Sequence, residues 1–175
     1  MRLLVLVAAL GLVGTSAAFP QRNKQPQDDA AMMKQLAGAW RLVSWTERLA
    51  DGTTRQVPLS VGYLIYTDTG RMCDTIINPD RAKWKSETAP TPEEAKSGID
   101  GLVAYCSTVE VHAKEGFVLH YVEIEKSPNV IGRTRKRWFK FEGPNRLILR
   151  IDPPENTPPV IDSTLAWERI EKGGK

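Results

Sequence analysis

Residues 102–125 read LVAYCSTVEVH-AKEG-FVLHYVEIE, and this stretch decides the fold. Two runs rich in Val, Tyr and Thr flank Ala113-Lys114-Glu115-Gly116, a short connection ending in Gly. β-Branched and aromatic residues favour extended backbone, and a Gly-bearing gap of four joins two such runs as a hairpin. Working towards the N-terminus, residues 61–67 (VGYLIYT) and 71–77 (RMCDTII) flank Asp68-Thr69-Gly70, a second hairpin, and residues 39–47 (AWRLVSWTE) form a strand before it. Towards the C-terminus, residues 133–141 (RTRKRWFKF) and 146–151 (RLILRI) flank Glu142-Gly143-Pro144-Asn145, and residues 160–170 (VIDSTLAWERI) follow.

The pattern predicts an all-β domain with eight antiparallel strands in up-and-down order. A sheet of that size removes its exposed edges by closing into a barrel, whose interior holds one small ligand or its own side chains. A two-sheet sandwich is the competitor, but the short turns between consecutive strands favour the barrel. Two helices are expected. One runs from a cap at Asp28 or Asp29 through Leu36, stopped by Gly38. The other lies between strands three and four, where Thr91-Pro92-Glu93-Glu94 supplies a capping Thr, Pro at the first helical position and Glu at the third. Residues 153–159, rich in Pro, read as a loop before the closing strand.

The chain has 175 residues, enough for one such domain, with 24 Lys+Arg against 21 Asp+Glu. A formal +3 is too small to imply a nucleic-acid partner. Residues 1–18 carry Arg2, an apolar run from Leu3 to Val13, and small residues Ser16-Ala17-Ala18. This reads as a cleavable signal peptide cut after Ala18, which places the product in the periplasm or outside the cell. The apolar run falls short of the roughly 20 residues that a membrane span needs, so no stable membrane insertion is expected. Residues 19–27 read as a flexible leader, 28–171 as the barrel domain and 172–175 as a tail. The oligomeric state is open.

Cys73 and Cys106 are the two cysteines of the chain. In an oxidising compartment such a pair forms a structural disulfide, and the alternative is two buried thiols. Their separation is too wide for CxxC redox chemistry.

Strand parity sorts the remaining candidates, because alternate side chains face opposite sides of a sheet. In 133–141 the odd set contains Phe139 and Phe141 and so faces inward, carrying Arg135 and Arg137 with it. A guanidinium inside a barrel needs an anionic partner, either an interior carboxylate or a ligand's anionic head. His120 shares a face with Val118, Val122 and Ile124, for whose place inside Phe117, Leu119 and Tyr121 compete, and is a candidate hydrogen-bonding or acid–base group. Tyr105 lies on the odd face of its strand with Val103, Ser107, Val109 and Val111. Tyr66 offers a second hydroxyl, and Trp45, grouped with Val43 and Ala39, lines the cavity. His112, beside a turn, reads as exposed. The two histidines lack a metal spacing, and no nucleophile elbow, phosphate loop or dinucleotide fingerprint occurs, so neither a cofactor nor a catalytic residue is assigned.

An ordered series of segments carries a resemblance. Gly38-Ala39-Trp40 is a Gly-x-Trp at the start of the first strand, within Leu36-Ala37-Gly38-Ala39-Trp40-Arg41-Leu42-Val43-Ser44-Trp45. Val61-Gly62-Tyr63-Leu64-Ile65-Tyr66-Thr67, Asp68-Thr69-Gly70-Arg71-Met72, Asn78-Pro79-Asp80-Arg81 and Thr91-Pro92-Glu93-Glu94 follow. Gly101-Leu102-Val103-Ala104-Tyr105, Val118-Leu119-His120-Tyr121-Val122-Glu123 and Leu165-Ala166-Trp167-Glu168-Arg169 complete it. Together they resemble the bacterial and fungal lipocalin-like domain family. The resemblance implies a calycin-type barrel in which Trp40 plugs the closed end against a basic residue, here Arg169. Two features depart from the family pattern: the cysteines, and the basic run Arg133-Thr134-Arg135-Lys136-Arg137.

The expected function is binding of a small, mostly hydrophobic molecule, with room for an anionic head at Arg135 and Arg137. An isomerase or cyclase using the same cavity, and a barrel filled by its own side chains, are the alternatives.

Overall fold

The computed structural model describes residues 25–152 and 158–171. The expected signal peptide and cut site, most of the expected leader and the expected tail lie outside the described residues. Strands β1 (Gly38–Leu49), β2 (Thr54–Gln56), β3 (Val61–Tyr66), β4 (Arg71–Ile77), β5 (Leu102–His112), β6 (Phe117–Glu125), β7 (Thr134–Phe141), β8 (Arg146–Ile151) and β9 (Val160–Arg169) form one antiparallel sheet. Each strand from β3 to β9 pairs with the next, and β9 pairs back onto β1 along Trp40 to Leu49, so the sheet closes.

The barrel has eight positions around its wall, and the second of them is split. β1 meets β3 through Gly38–Arg41 and β2 through Thr46–Arg48, both on the edge opposite β9. Pro58, which has no N–H to donate to a ladder, stands between the two pieces. β2 is therefore an addition to the eight strands expected from the sequence.

Helix α1 (Gln25–Leu36) begins earlier than Asp28, so residues 25–27 of the expected flexible leader are helical. Asp29 is not its cap: its carboxylate accepts from the N–H of Ala113 at 2.8 Å and ties the helix to the β5–β6 turn. α1 covers one end of the barrel, where Met33 and Leu36 join the core around Trp40. Trp40 is fully buried and donates its indole N–H to the Leu36 carbonyl at 2.8 Å. Arg169 lies 4.0 Å over the Trp40 ring and donates to the carbonyls of Ala37 (2.8 Å), Gln35 (2.6 Å) and Pro144 (3.3 Å). Gly38 is required beside it: its φ is +129°, and a Cβ there would sit 2.7 Å from the Arg169 guanidinium.

Helix α2 (Pro92–Asp100) has the capping box read from the sequence, Thr91 and Glu94 satisfying each other's backbone N–H. It lies at the opposite end, in the connection between β4 and β5. Trp84 pins the preceding loop to it, donating to the Glu94 carbonyl at 3.1 Å. No helix among the described residues is long and apolar enough to cross a membrane.

Cys73 and Cys106 face each other in register across β4 and β5, with their sulfurs 2.07 Å apart, the distance of a disulfide. They sit on the outer face of the wall, since Met72, Asp74 and Tyr105 on either side of them are buried. Closing a loop of 33 residues restricts the unfolded chain, so Cys73→Ala with Cys106→Ala is expected to lower stability by about 3 kcal/mol in urea unfolding. Unchanged unfolding curves would show that the bridge does not form.

Candidate functional site

Inward-facing side chains divide the interior into two walls. Across β8, β9 and β1 the wall is mostly apolar: Leu149, Leu165, Trp167 and Leu42 are buried, Trp45 and Ile151 pack against them, and Ser163 is the buried polar residue on that face of β9. Across β3 to β7 it is mixed, with Leu64, Met72, Ile76, Val118 and Val122 buried among polar groups. Tyr66, Asp74, Tyr105, Ser107, His120 and Arg137 are all buried there, and Arg135 and Glu125 lie beside them.

Two bulges set this arrangement. On β1 the register to β9 shifts between Leu42 and Ser44, so Val43 is extra and is half exposed. Parity inverts beyond it, and Trp45, paired with buried Leu165, turns inward. Trp45 thus lines the interior but shares its face with Trp40 and Leu42, not with Val43 and Ala39 as simple alternation predicts. On β6 the register to β5 shifts at Cys106/Ser107, leaving Glu123 as the extra residue. Ile124 is pushed outside, at 64% exposure, and Glu125 turns in opposite Tyr105. A bulge re-aims every side chain that follows it.

His120 is fully buried between two tyrosines: Nε2 is 2.9 Å from the Tyr66 hydroxyl and Nδ1 is 3.1 Å from that of Tyr105. Burial holds its pKa well below the usual imidazole range, and the nearby charges of Arg137 and Arg135 push in the same direction. The ring is therefore neutral, with one nitrogen donating and the other accepting. One tyrosine donates to it and the other accepts from it, so the second keeps its hydroxyl proton for a different acceptor. Burial pushes the Tyr66 hydroxyl pKa up, so Tyr66 stays a proton-bearing phenol.

The charges are matched within the wall. The Arg135 guanidinium stacks 4.4 Å over the Tyr105 ring and meets the Glu125 carboxylate at 3.1 Å. Arg137 donates to the Lys136 carbonyl at 2.8 Å. Asp74 faces both cations. Burial raises its pKa to about 7, Arg137 and Arg135 oppose that, and Glu125 adds to it. Its Oδ1 is buried without a hydrogen-bond partner, as are Ser107 Oγ, Trp45 Nε1 and Trp167 Nε1. Such orphaned groups are costly to bury.

Tyr66, Tyr105, His120, Arg135 and Arg137 therefore converge on one wall, with Trp45 facing them from the other. Ser107, read on the same face as Tyr105, joins them, and Asp74 and Glu125 complete the constellation beyond the residues singled out from the sequence. Trp40 and Arg169 stand apart, at the α1 end. Arg133 precedes β7 and is exposed. His112 is not exposed: it stacks on Phe117 at 4.3 Å between ring centroids and meets Glu110 at 2.8 Å. Among the described residues no cluster of His, Cys, Asp and Glu could hold a metal ion. A cleft of about 440 Å³ lies outside the barrel, between α2, Pro58–Leu59 and Asn78–Ala82. Its cations are already engaged, Arg81 with the carbonyls of Asn78 and Gly98 and Lys96 with Asp100.

A closed antiparallel barrel sealed at one end by a helix and a buried Trp, with a polar wall inside, is a barrel of the calycin type. Residues 37–170 match the lipocalin-like domain model, and the chain belongs to that family. Among solved structures it is similar to a redesigned beta barrel at 12% identity and a TM-score of 0.40, over 79% of this chain and 95% of that one. It is also similar to a de novo designed fluorescence-activating beta barrel at 15% identity and a TM-score of 0.38, over 81% of this chain and 98% of that one. A search of curated proteins found no match.

Proposed function

We propose that this lipocalin-like protein binds a small, mostly hydrophobic molecule inside the barrel. The apolar wall of β8, β9 and β1 removes the guest's hydrocarbon from water, and the polar wall of β3 to β7 fixes its orientation. The observation that carries this reading is the set of buried polar atoms without partners, contributed by both walls: Asp74 Oδ1 and Ser107 Oγ on one, Trp45 Nε1 and Trp167 Nε1 on the other. Export supports it. Residues 1–18 read as a signal peptide, and the bridged cysteines fit an oxidising compartment. Native mass spectrometry of the protein from its own host is the test, with a co-purifying small molecule as the expected result. A barrel packed with its own side chains would carry none.

A further inference from the structure

We propose that the guest is electrically neutral and carries a hydroxyl group, an alcohol or phenol, which it donates to Asp74. This inference rests on the binding reading above and names the chemistry of the polar end.

The charges inside the barrel exclude the simpler alternatives. Two guanidiniums, Arg135 and Arg137, face two carboxylates, Asp74 and Glu125. Above pH 7, where Asp74 is ionised, an anionic head drawn to the arginines would compete with Glu125 for Arg135 and meet a second negative charge at Asp74. A cationic head drawn to Asp74 would lie against Arg135 and Arg137. A neutral donor meets neither penalty. Asp74 Oδ1 accepts its proton, and the paired position opposite Asp74 on β5 is Tyr105, whose ring is fixed by Arg135 above it and His120 beside it. Trp45 Nε1, a donor only, faces from the apolar wall and suits a second oxygen on the same guest.

Tyr66 on β3, Glu125 on β6, and Arg135 and Arg137 on β7 act on Asp74 electrostatically, Tyr105 on β5 is its register partner, and His120 on β6 is buried between Tyr66 and Tyr105. His120 stays neutral and Tyr66 stays protonated through the neutral range, for the reasons given above. Asp74 changes its charge there, because its pKa is raised to about 7. An ionised carboxylate is the better acceptor, so the advantage of a hydroxyl over a hydrogen-free substituent grows as pH rises through 7.

The experiment compares three probes with one apolar body, 2-naphthol, 2-naphthoate and 2-methylnaphthalene, by equilibrium dialysis against the full folded chain at pH 6 and pH 8. At pH 8 the naphthol is expected to bind about tenfold or more tighter than 2-methylnaphthalene, with a smaller margin at pH 6. In Asp74→Asn the margin is expected to shrink to about threefold or less and to lose its pH dependence. The pH arm uses wild-type protein and so stands even if the variant fails to fold. Tighter binding of 2-naphthoate than of 2-naphthol would overturn the proposal and assign the polar end to the arginines. Equal binding of naphthol and methylnaphthalene would overturn it while leaving the hydrophobic-guest reading intact. Binding of none of the three would overturn both.

Discussion

Trp40→Ala lowers the stability of the barrel by about 3–5 kcal/mol, the usual cost of removing a large aromatic from a packed core. The expectation follows from position. Trp40 has no exposed surface, its indole N–H satisfies a carbonyl in the last turn of α1, and Arg169 lies flat over its ring. Truncation leaves a cavity between α1 and the strand ends and leaves Arg169 without its stacking partner. The effect is read from urea unfolding. Trp40→Phe keeps most of the volume and should recover more than half of the loss. A change below 1 kcal/mol for Trp40→Ala would mean that this end of the barrel is not packed as described.

The second large effect is a pH dependence that Asp74 imposes on folding. Its carboxyl is raised from an ordinary value of 3.8 to about 7 in the folded protein, chiefly by burial. Between these values the folded state holds a proton that the unfolded chain has released. The stability that Asp74 contributes is therefore greatest near pH 4, falls as pH rises, and levels off above 7. Linkage puts the total loss at about 4 kcal/mol. Other carboxylates have slopes of their own, so the measurement is the difference between wild type and Asp74→Asn. Wild type should lose about 3 kcal/mol of this relative to the variant between pH 4.5 and pH 8. Parallel curves would show that Asp74 ionises normally, and hence that it is not buried among the arginines.

Much of the interior was legible in the sequence because β5 and β7 alternate without interruption. Two phenylalanines in RTRKRWFKF mark its inward face and carry Arg135 and Arg137 with them. The odd positions of LVAYCSTVEVH bring in Tyr105 and Ser107 together. His120 sits between Val118 and Val122 on an apolar face, and all three are buried. Asp74 was equally readable, since it alternates with Met72 and Ile76, but a lone carboxylate on a hydrophobic face is easily passed over when helix caps and turns account for the other acids.

What the sequence hid is the consequence of single inserted residues. Nothing in FVLHYVEIE announces that Glu123 is extra, yet that bulge decides whether Ile124 or Glu125 enters the barrel. The bulge at Val43 does the same for Trp45. A bulge is settled by pairing with a neighbouring strand, so the periodicity within one strand does not report it. The start of α1 escaped for a related reason: Asp29 looks like a cap, but its partner is Ala113, 84 residues away.

The claim on which the account turns is that the two walls enclose a guest. Native mass spectrometry of the protein from its own host, prepared without detergent, tests this directly. The account predicts a second peak heavier than the bare chain by one small molecule, lost on denaturation and carrying a hydroxyl when the released species is fragmented. A single peak at the bare mass, unchanged after incubation with 2-naphthol, 2-naphthoate and 2-methylnaphthalene, would contradict it.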